Sequence, residues 1–238
     1  MNIEGSVALV TGANRGLGAA YTRALLEHGA AKVYAAARRP ETVTDPRLVP
    51  VRLDLTDPAT IAEAADRAGD VTLLINNAGS HTGASILGDE AGFRQEIEVN
   101  FLGPLAVSRT FAPVLGANGG GGLVNVLSVL SWVTQPESAG YCAAKSALWS
   151  VTNALRLALA EQKTLVVAVH VGYMDTDMAA KVTGPKSAPG LVAEATLDAV
   201  QAGQHEVLAD EISREVRAAL SAPLSALYPS LSPAAASE

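Results

Sequence analysis

Tyr141 and Lys145 stand four residues apart in the stretch YCAAK, inside a run with apolar residues at helical spacing from Ala139 to Ala160. In a helix the two side chains leave the same face, about one turn apart. An unperturbed phenol titrates near ~10 and exchanges protons poorly at neutral pH. A neighbouring ammonium favours the phenolate, so Lys145 is expected to lower the Tyr141 pKa and turn the pair into an acid/base device. The same spacing occurs on solvated helix faces, and it carries chemistry only where other elements deliver a reactant. Ser128 ends a short apolar run upstream, at the carboxyl end of a strand, where ligands lie in open α/β sheets.

The delivering element is legible near the start of the chain. SVALV (Ser6 to Val10) reads as a strand, and TGANRGLG (Thr11 to Gly18) follows at once. A helical pattern then runs through Ala20, Tyr21, Ala24, Leu25 and His28 to Gly29. Glycines between a strand and a helix permit a tight turn and let a pyrophosphate approach the backbone. The helix N-terminus supplies free N–H groups and a positive dipole end. The expectation is a dinucleotide site; the plainer alternative is a structural turn. About 20 residues further on, an NAD enzyme places an acidic residue on the ribose. Here the second strand, KVYAAA, ends in Ala37 and Arg38. Arg15 and Arg38 converging on a 2′-phosphate would favour NADP(H) over NAD(H), unless both are simply solvated charges.

The remaining chain alternates strand and helix. Leu48 to Leu53, Val71 to Ile75, Leu123 to Leu127 and Leu165 to Val171 read as strands, with a seventh edge strand at His205 to Ala209. Asp54 follows the third strand as a candidate partner of the adenine amino group. Asp57-Pro58 reads as a helix cap with proline in the first turn. Asn76-Asn77-Ala78-Gly79 breaks the fourth strand with amides and small residues, as a close backbone approach requires. Asp89 to Leu115 is expected to be mainly helical, with Asn100 as a polar residue among apolar ones, either a satisfied buried amide or one placed near Lys145. Together these elements predict one α/β domain built on a doubly wound parallel sheet of about seven strands flanked by helices.

These motifs, taken in order, resemble the short-chain dehydrogenase/reductase family in its compact branch. The resemblance rests on TGANRGLG, DLT (Asp54 to Thr56), NNAG, VN (Val99, Asn100), Ser128 and YCAAK, and covers almost the whole chain. It implies a Rossmann-type fold. It implies Tyr141 as general acid or base, Lys145 as its partner and a ligand of the nicotinamide ribose, Ser128 on the substrate oxygen, and Asn100 supporting a water next to Lys145. For the cofactor it implies Gly12, Asn14, Arg15, Gly16, Leu17, Gly18, Arg38, Asp54, Leu55, Asn77, Ala78, Gly79, Tyr141, Lys145, Val171, Gly172 and Thr176. Two departures stand out. Val171-Gly172 replaces the family's Pro-Gly after the sixth strand, which would loosen that turn, and Leu127-Ser128 replaces Ser-Ser.

The chemistry so implied is hydride transfer between NADP(H) and a carbonyl or alcohol. Ser128 and Tyr141 would stabilise negative charge on the oxygen. Substrate contacts are expected from Ser80 to Gly92, Val129 to Gly140 and Tyr173 to Pro189, whose Ile86, Leu87, Trp132, Val133, Tyr173, Met174 and Met178 suit an uncharged small molecule. Two alternatives remain: a β-ketoacyl carrier-protein reductase, and a non-catalytic NADP(H)-binding regulator on the same fold. A net charge of −7 argues against nucleic acid. The single cysteine, Cys142, offers no metal-ligand spacing and no disulfide, and His81 and His170 read as structural. No secretory pattern or membrane-length apolar run is evident, so a cytoplasmic protein is expected. The helices around Asp89 to Leu115 and Ala139 to Ala160 are apolar on several sides, which predicts a homodimer or homotetramer. Residues 1–222 form the expected domain, with a variable substrate loop at 173–190, and 223–238 a loosely held Pro/Ser/Ala-rich tail.

Overall fold

The structure, a computed structural model, describes residues 1–231. Seven strands form one parallel sheet in the order β3-β2-β1-β4-β5-β6-β7. They are β1 (Val7–Thr11), β2 (Lys32–Ala37), β3 (Val49–Arg52), β4 (Leu73–Asn76), β5 (Gly122–Val126), β6 (Leu165–His170) and β7 (Glu206–Leu208). The sequence order reverses between β1 and β4, and the carboxyl ends of those two strands face the same crevice. β4 and β5 are buried at every residue, which is why they read as continuous apolar runs rather than alternating ones.

Helices cover both faces. One apolar cluster joins β1, β2, β4, β5 and β6 to α1 (Gly16–Glu27) and α6 (Pro189–Gln201). A second lies under α2 (Pro58–Arg67), α4 (Gly103–Ala117) and the end of α5 (Ala139–Ala158). The remaining helices are α3 (Glu90–Ile97), α7 (Glu211–Ala219) and α8 (Leu224–Leu227). Asp57 caps α2 as expected, accepting from the Ala59 N–H at 3.1 Å with Pro58 in the first turn. Among the described residues no helix is long and apolar enough to cross a membrane.

Two segments differ from expectation. The helix expected from Asp89 to Leu115 is broken by a π turn at Glu98–Leu102. Pro104 has no N–H to give the carbonyl of Asn100, four residues earlier, and the Gly103 N–H reaches back to the Glu98 carbonyl instead. The segment from Pro223 is not wholly loose: it holds α8, and the Tyr228 hydroxyl accepts from the Thr134 N–H at 3.0 Å. The rest of the expected tail, 232–238, lies outside the described residues.

α5 is tied to the sheet by polar groups as well as apolar packing. The Asn76 amide donates to the Ser108 hydroxyl and to the Asn125 carbonyl, both at 2.9 Å, and the Asn125 amide donates to the Thr152 hydroxyl at 2.8 Å. All four residues are buried. Asn125→Ala would strip partners from both Asn76 and Thr152 in a site water does not reach. It should lower the unfolding free energy by about 2–3 kcal/mol, read from urea denaturation.

Candidate active site

The glycine loop and the loop after β4 are locked together through Thr11. Its hydroxyl accepts from the backbone N–H groups of Asn77 and Ala78, at 2.9 and 3.0 Å, and the Asn77 amide donates to the Thr11 carbonyl at 2.9 Å. Gly12 has φ +66, and a Cβ there would stand 3.0 Å from the Ala78 Cα. A Cβ on Gly18 would lie 2.0 Å from the Gly12 carbonyl oxygen. Only glycine fits that second position whatever its φ. α1 begins at Gly16 with no side-chain cap and no acidic residue in its first turn, so its N–H groups remain turned to the crevice entrance.

The other nucleotide-site candidates are distributed around this lock. Leu17 buries its side chain in the core, which leaves its backbone as the part able to meet a ligand. The Asn14 amide donates to the Thr42 hydroxyl at 3.1 Å. Arg38 is exposed at the end of β2. Arg15 is not shown converging on Arg38: its guanidinium pairs with Asp177 of the downstream loop at 2.9 Å, with both side chains largely exposed. Asp54 accepts from the Thr56 N–H and hydroxyl through one oxygen, at 3.0 and 2.9 Å, and Leu55 is buried against the start of α4. Thr176 packs its methyl group over Gly16.

The second half of the site is built at the ends of β5 and β6. Ser128 caps the short turn Val129–Ser131, and its hydroxyl oxygen accepts from the Leu130 N–H at 3.1 Å. The Val129 N–H donates to the Val171 carbonyl at 3.0 Å, which joins the two strand ends. Lys145 is buried on α5 and donates to the Val126 carbonyl at 2.8 Å. Its nitrogen lies 5.6 Å from the centre of the Tyr141 ring. Ser128, Tyr141 and Lys145 are thus brought together. Asn100 is fully buried, but its amide serves the backbone rather than Lys145. It accepts from the Ser80 N–H at 3.0 Å and donates to the carbonyls of Ser80 and Glu96, at 2.8 and 3.0 Å. A Cβ on Gly79 would meet the Asn100 Oδ1 at 2.8 Å, which fits glycine at that end of the loop.

The expected lowering of the phenol pKa is not found. Burial pushes the Tyr141 hydroxyl above the ordinary tyrosine value; the Ser128 hydroxyl opposes this, and Cys142 and Glu96 add to it. Lys145 does not lower the phenol pKa: burial pushes the ammonium down to about 8, so its charge is lost before the phenol ionises.

One feature escaped the sequence, the buried Glu96, while His81 and His170, read as structural, take structural contacts. Glu96 is fully buried, and its carboxylate accepts from the Thr82 N–H at 2.6 Å. Its spacing of three and four residues from Phe93 and Asn100, on the same helix face, was the available signal. His81 stands edge-on to Tyr141 at 5.5 Å and bonds the Ser138 hydroxyl at 3.0 Å. His170 stacks on Trp132 at 3.7 Å, its Nδ1 lies 3.3 Å from the Ser128 carbonyl, and burial holds its pKa down to about 4, so it is neutral at physiological pH.

Of the apolar residues expected at the substrate, Leu87 is 96% exposed, and Ile86, Tyr173 and Met178 are also exposed. A cleft of about 280 Å³ takes in Ile86, Trp132, Val133 and Tyr228 against Ala139, Cys142, Ala143 and Ser146 of α5. Those helix positions share a face other than that of Tyr141 and Lys145.

The sequence profile described as short chain dehydrogenase matches residues 6–187. The chain belongs to the short-chain dehydrogenase family. A short chain dehydrogenase from Burkholderia cenocepacia J2315, solved in complex with NADP, is similar to it at 43% identity, covering 98% of this chain and 100% of that one, with a TM-score of 0.93. An uncharacterized oxidoreductase of Methylorubrum extorquens is 32% identical, over 89% of this chain and 90% of its own length. The cis-4-hydroxycyclohexanecarboxylate dehydrogenase of Sinomonas cyclohexanicum is 35% identical, over 73% and 75%. A family member from Burkholderia phymatum, solved in complex with NAD, is 25% identical, with coverage of 91% and 93% and a TM-score of 0.81. This short-chain dehydrogenase is accordingly a nucleotide-cofactor oxidoreductase of α/β architecture.

Burial of Lys145 has a consequence for stability. Its folded pKa, about 8, lies below the ordinary lysine value, so the folded state binds fewer protons than the unfolded chain between those limits. The penalty is fully present below pH ~8 and is relieved as pH rises toward ~10.5. Lys145→Met should therefore unfold later than the parent at neutral pH, by up to roughly 3 kcal/mol, and the gain should vanish by pH ~10.5. Chemical denaturation across pH measures this; a gain independent of pH would contradict it.

Proposed function

We propose that this protein is an NADP(H)-dependent oxidoreductase that interconverts a ketone or aldehyde and an alcohol, with Tyr141 as the acid/base group. The observation that carries the reading is the gathering of Ser128, Tyr141 and a buried Lys145 at the carboxyl ends of β5 and β6, on the crevice side of the sheet. The glycine loop fits a dinucleotide on physical grounds. Gly12 and Gly18 have no room for a Cβ against Ala78 and the Gly12 carbonyl, which keeps the loop tight enough for backbone to meet a ligand, and the uncapped start of α1 favours a pyrophosphate. Residues Gly12 to Gly18, Asp54, Leu55, Asn77 to Gly79, Lys145, Val171, Gly172 and Thr176 would hold the cofactor. When bound, it supplies or accepts the hydride.

The chain's own residues handle the proton and the charge. The Leu130 N–H occupies a lone pair of the Ser128 oxygen and leaves the hydroxyl hydrogen free to donate to a substrate oxygen. The Val126 carbonyl takes one of the three Lys145 N–H groups, and two remain for a ribose hydroxyl and for the phenol side of the site. Tyr141, held protonated by burial, gives its proton to the oxygen as negative charge develops there, and takes it back in the reverse direction. Asn100 contributes by fixing the Ser80 backbone beside the site.

Preference for NADP(H) rests on Arg15 and Arg38, on the Ala37–Arg38 end of β2 that lacks an acidic residue, and on the NADP-bound relative. The Arg15–Asp177 pair is exposed and so weakly held that the guanidinium can exchange onto a 2′-phosphate. The relative named as a cis-4-hydroxycyclohexanecarboxylate dehydrogenase supports an alcohol–ketone pair as substrate and product. The reading further takes the protein as a cytoplasmic homodimer or homotetramer, supported by exposed apolar residues such as Leu102 and Leu157 on α4 and α5 or beside them.

Two outcomes are expected with a panel of ketones, aldehydes and quinones. Tyr141→Phe should bind NADPH as the parent does and lose at least ~10²-fold in turnover, the effect of a missing general acid. Arg38→Ala should raise the KM for NADPH by about tenfold while leaving that for NADH unchanged. Equal loss with both cofactors would remove the phosphate clamp.

A further inference from the structure

The turn after β6 carries no proline, yet it is held firmly, and the hold comes from a residue 38 positions away. One carboxylate oxygen of Asp210 accepts from the Gly172 N–H at 2.7 Å and from the Ser187 hydroxyl at 3.2 Å. The other accepts from the Ser213 N–H at 3.0 Å and from its hydroxyl, which caps α7. Gly172 and Ser187 are the two ends of the loop that follows β6. They are also joined to each other's neighbours: the Asp175 N–H donates to the Ser187 carbonyl at 3.0 Å, and the Ser187 N–H to the Tyr173 carbonyl at 2.8 Å. A Cβ on Gly172 would lie 2.6 Å from Ile212 and 3.1 Å from the Asp210 oxygen, so glycine is what lets the turn press onto the start of α7. The loop thus leaves and returns at one carboxylate, and its far side reaches Arg15 of the glycine loop through Asp177.

We propose that Asp210 is a positioning residue: its carboxylate clamps both ends of the 172–187 loop to α7 and so fixes the turn at Gly172 and the distance at which the loop crosses the cofactor crevice. Four donors on one carboxylate exceed what a helix cap requires; Asp57 and Asp89 cap α2 and α3 with their first-turn N–H groups alone. An amide in place of the carboxylate cannot accept from donors on both of its sides. Asp210→Asn therefore breaks either the cap or the clamp while keeping the shape. The effect on turnover rests on the proposed oxidoreductase reading; the effect on the loop does not.

Limited trypsinolysis reads the loop directly, since Lys181 and Lys186 lie within it. Asp210→Asn should be nicked in the loop about tenfold faster than the parent, the factor expected for one lost charge-assisted hydrogen bond. Ser187→Ala, which removes one clamp contact and leaves α7 capped, should be nicked roughly fivefold faster. Ser213→Ala, which weakens the cap alone, should lower Tm yet be nicked at the parental rate. In the same Asp210→Asn protein, kcat/KM for the carbonyl substrate should fall about tenfold, with a rise in the KM for NADPH. Parental nicking of both Asp210→Asn and Ser187→Ala, or nicking of Ser213→Ala as fast as Asp210→Asn, would overturn the clamp. If no carbonyl compound is turned over while the nicking pattern is as expected, the clamp stands and the oxidoreductase reading falls. Should Asp210→Asn fail to fold, Ser187→Ala against Ser213→Ala decides alone.

Discussion

A lysine without water around it is the constraint to which the rest of the site answers. Lys145 is buried on α5 and reaches one carbonyl, that of Val126 at the end of β5. Burying an ammonium is costly unless donors find partners at fixed positions. That cost is acceptable only if α5 cannot slide or roll, because a small shift would separate the nitrogen from its carbonyl. The buried chain from Asn76 through Asn125 to Thr152 supplies that fixity one to two turns further along the same helix. Stability is thus concentrated below α5 and withdrawn at its first turns, where Tyr141 and Lys145 sit.

The same division explains why the phenol behaves as it does. Burial raises Tyr141, and the lysine that could offset this is itself pushed toward neutrality. Two poorly solvated groups side by side do not stabilise two opposite charges in the absence of further polar partners. The pair therefore stores a proton on the phenol. The hydroxyl of Ser128 is the neighbour that opposes this, favouring the ionised phenol.

Much of this was legible in the chain. Continuous apolar runs bounded by glycine, asparagine and aspartate located the strands to within a residue or two, because strands buried on both faces have no alternation to disguise. Strand, glycine turn and helix located the crevice, and spacing alone put Tyr141 and Lys145 on one helical face. The direction of the Tyr141 shift was not legible. It depends on the desolvation of the phenol and on Ser128 and Glu96, residues 13 and 45 positions away. Periodicity also concealed the π turn: Phe93, Ile97 and Phe101 continue one stripe across it, although Pro104 marks the place where the regular ladder must fail. Asp210 resembles any helix cap in sequence, and only the fold brings Gly172 and Ser187 to it.

The carboxylates of this site do work that composition would assign elsewhere. Acidic residues near a phenol and a lysine suggest acid–base partners, yet Glu96 and Asp210 both bind backbone N–H groups of loops: Thr82 on one side of the crevice, Gly172 on the other. Asn100 does the same for Ser80. Each grips main chain, so loop side chains other than Ser187 can differ without disturbing the path of the loop. Such anchoring lets a loop vary while the scaffold beneath it stays fixed. It also accounts for the exposure of Ile86, Leu87, Tyr173 and Met178, which belong to stretches whose backbone is anchored while their apolar side chains stay free of the core. The path of the main chain on both sides of the crevice therefore resides in carboxylates rather than in the apolar side chains of the loops.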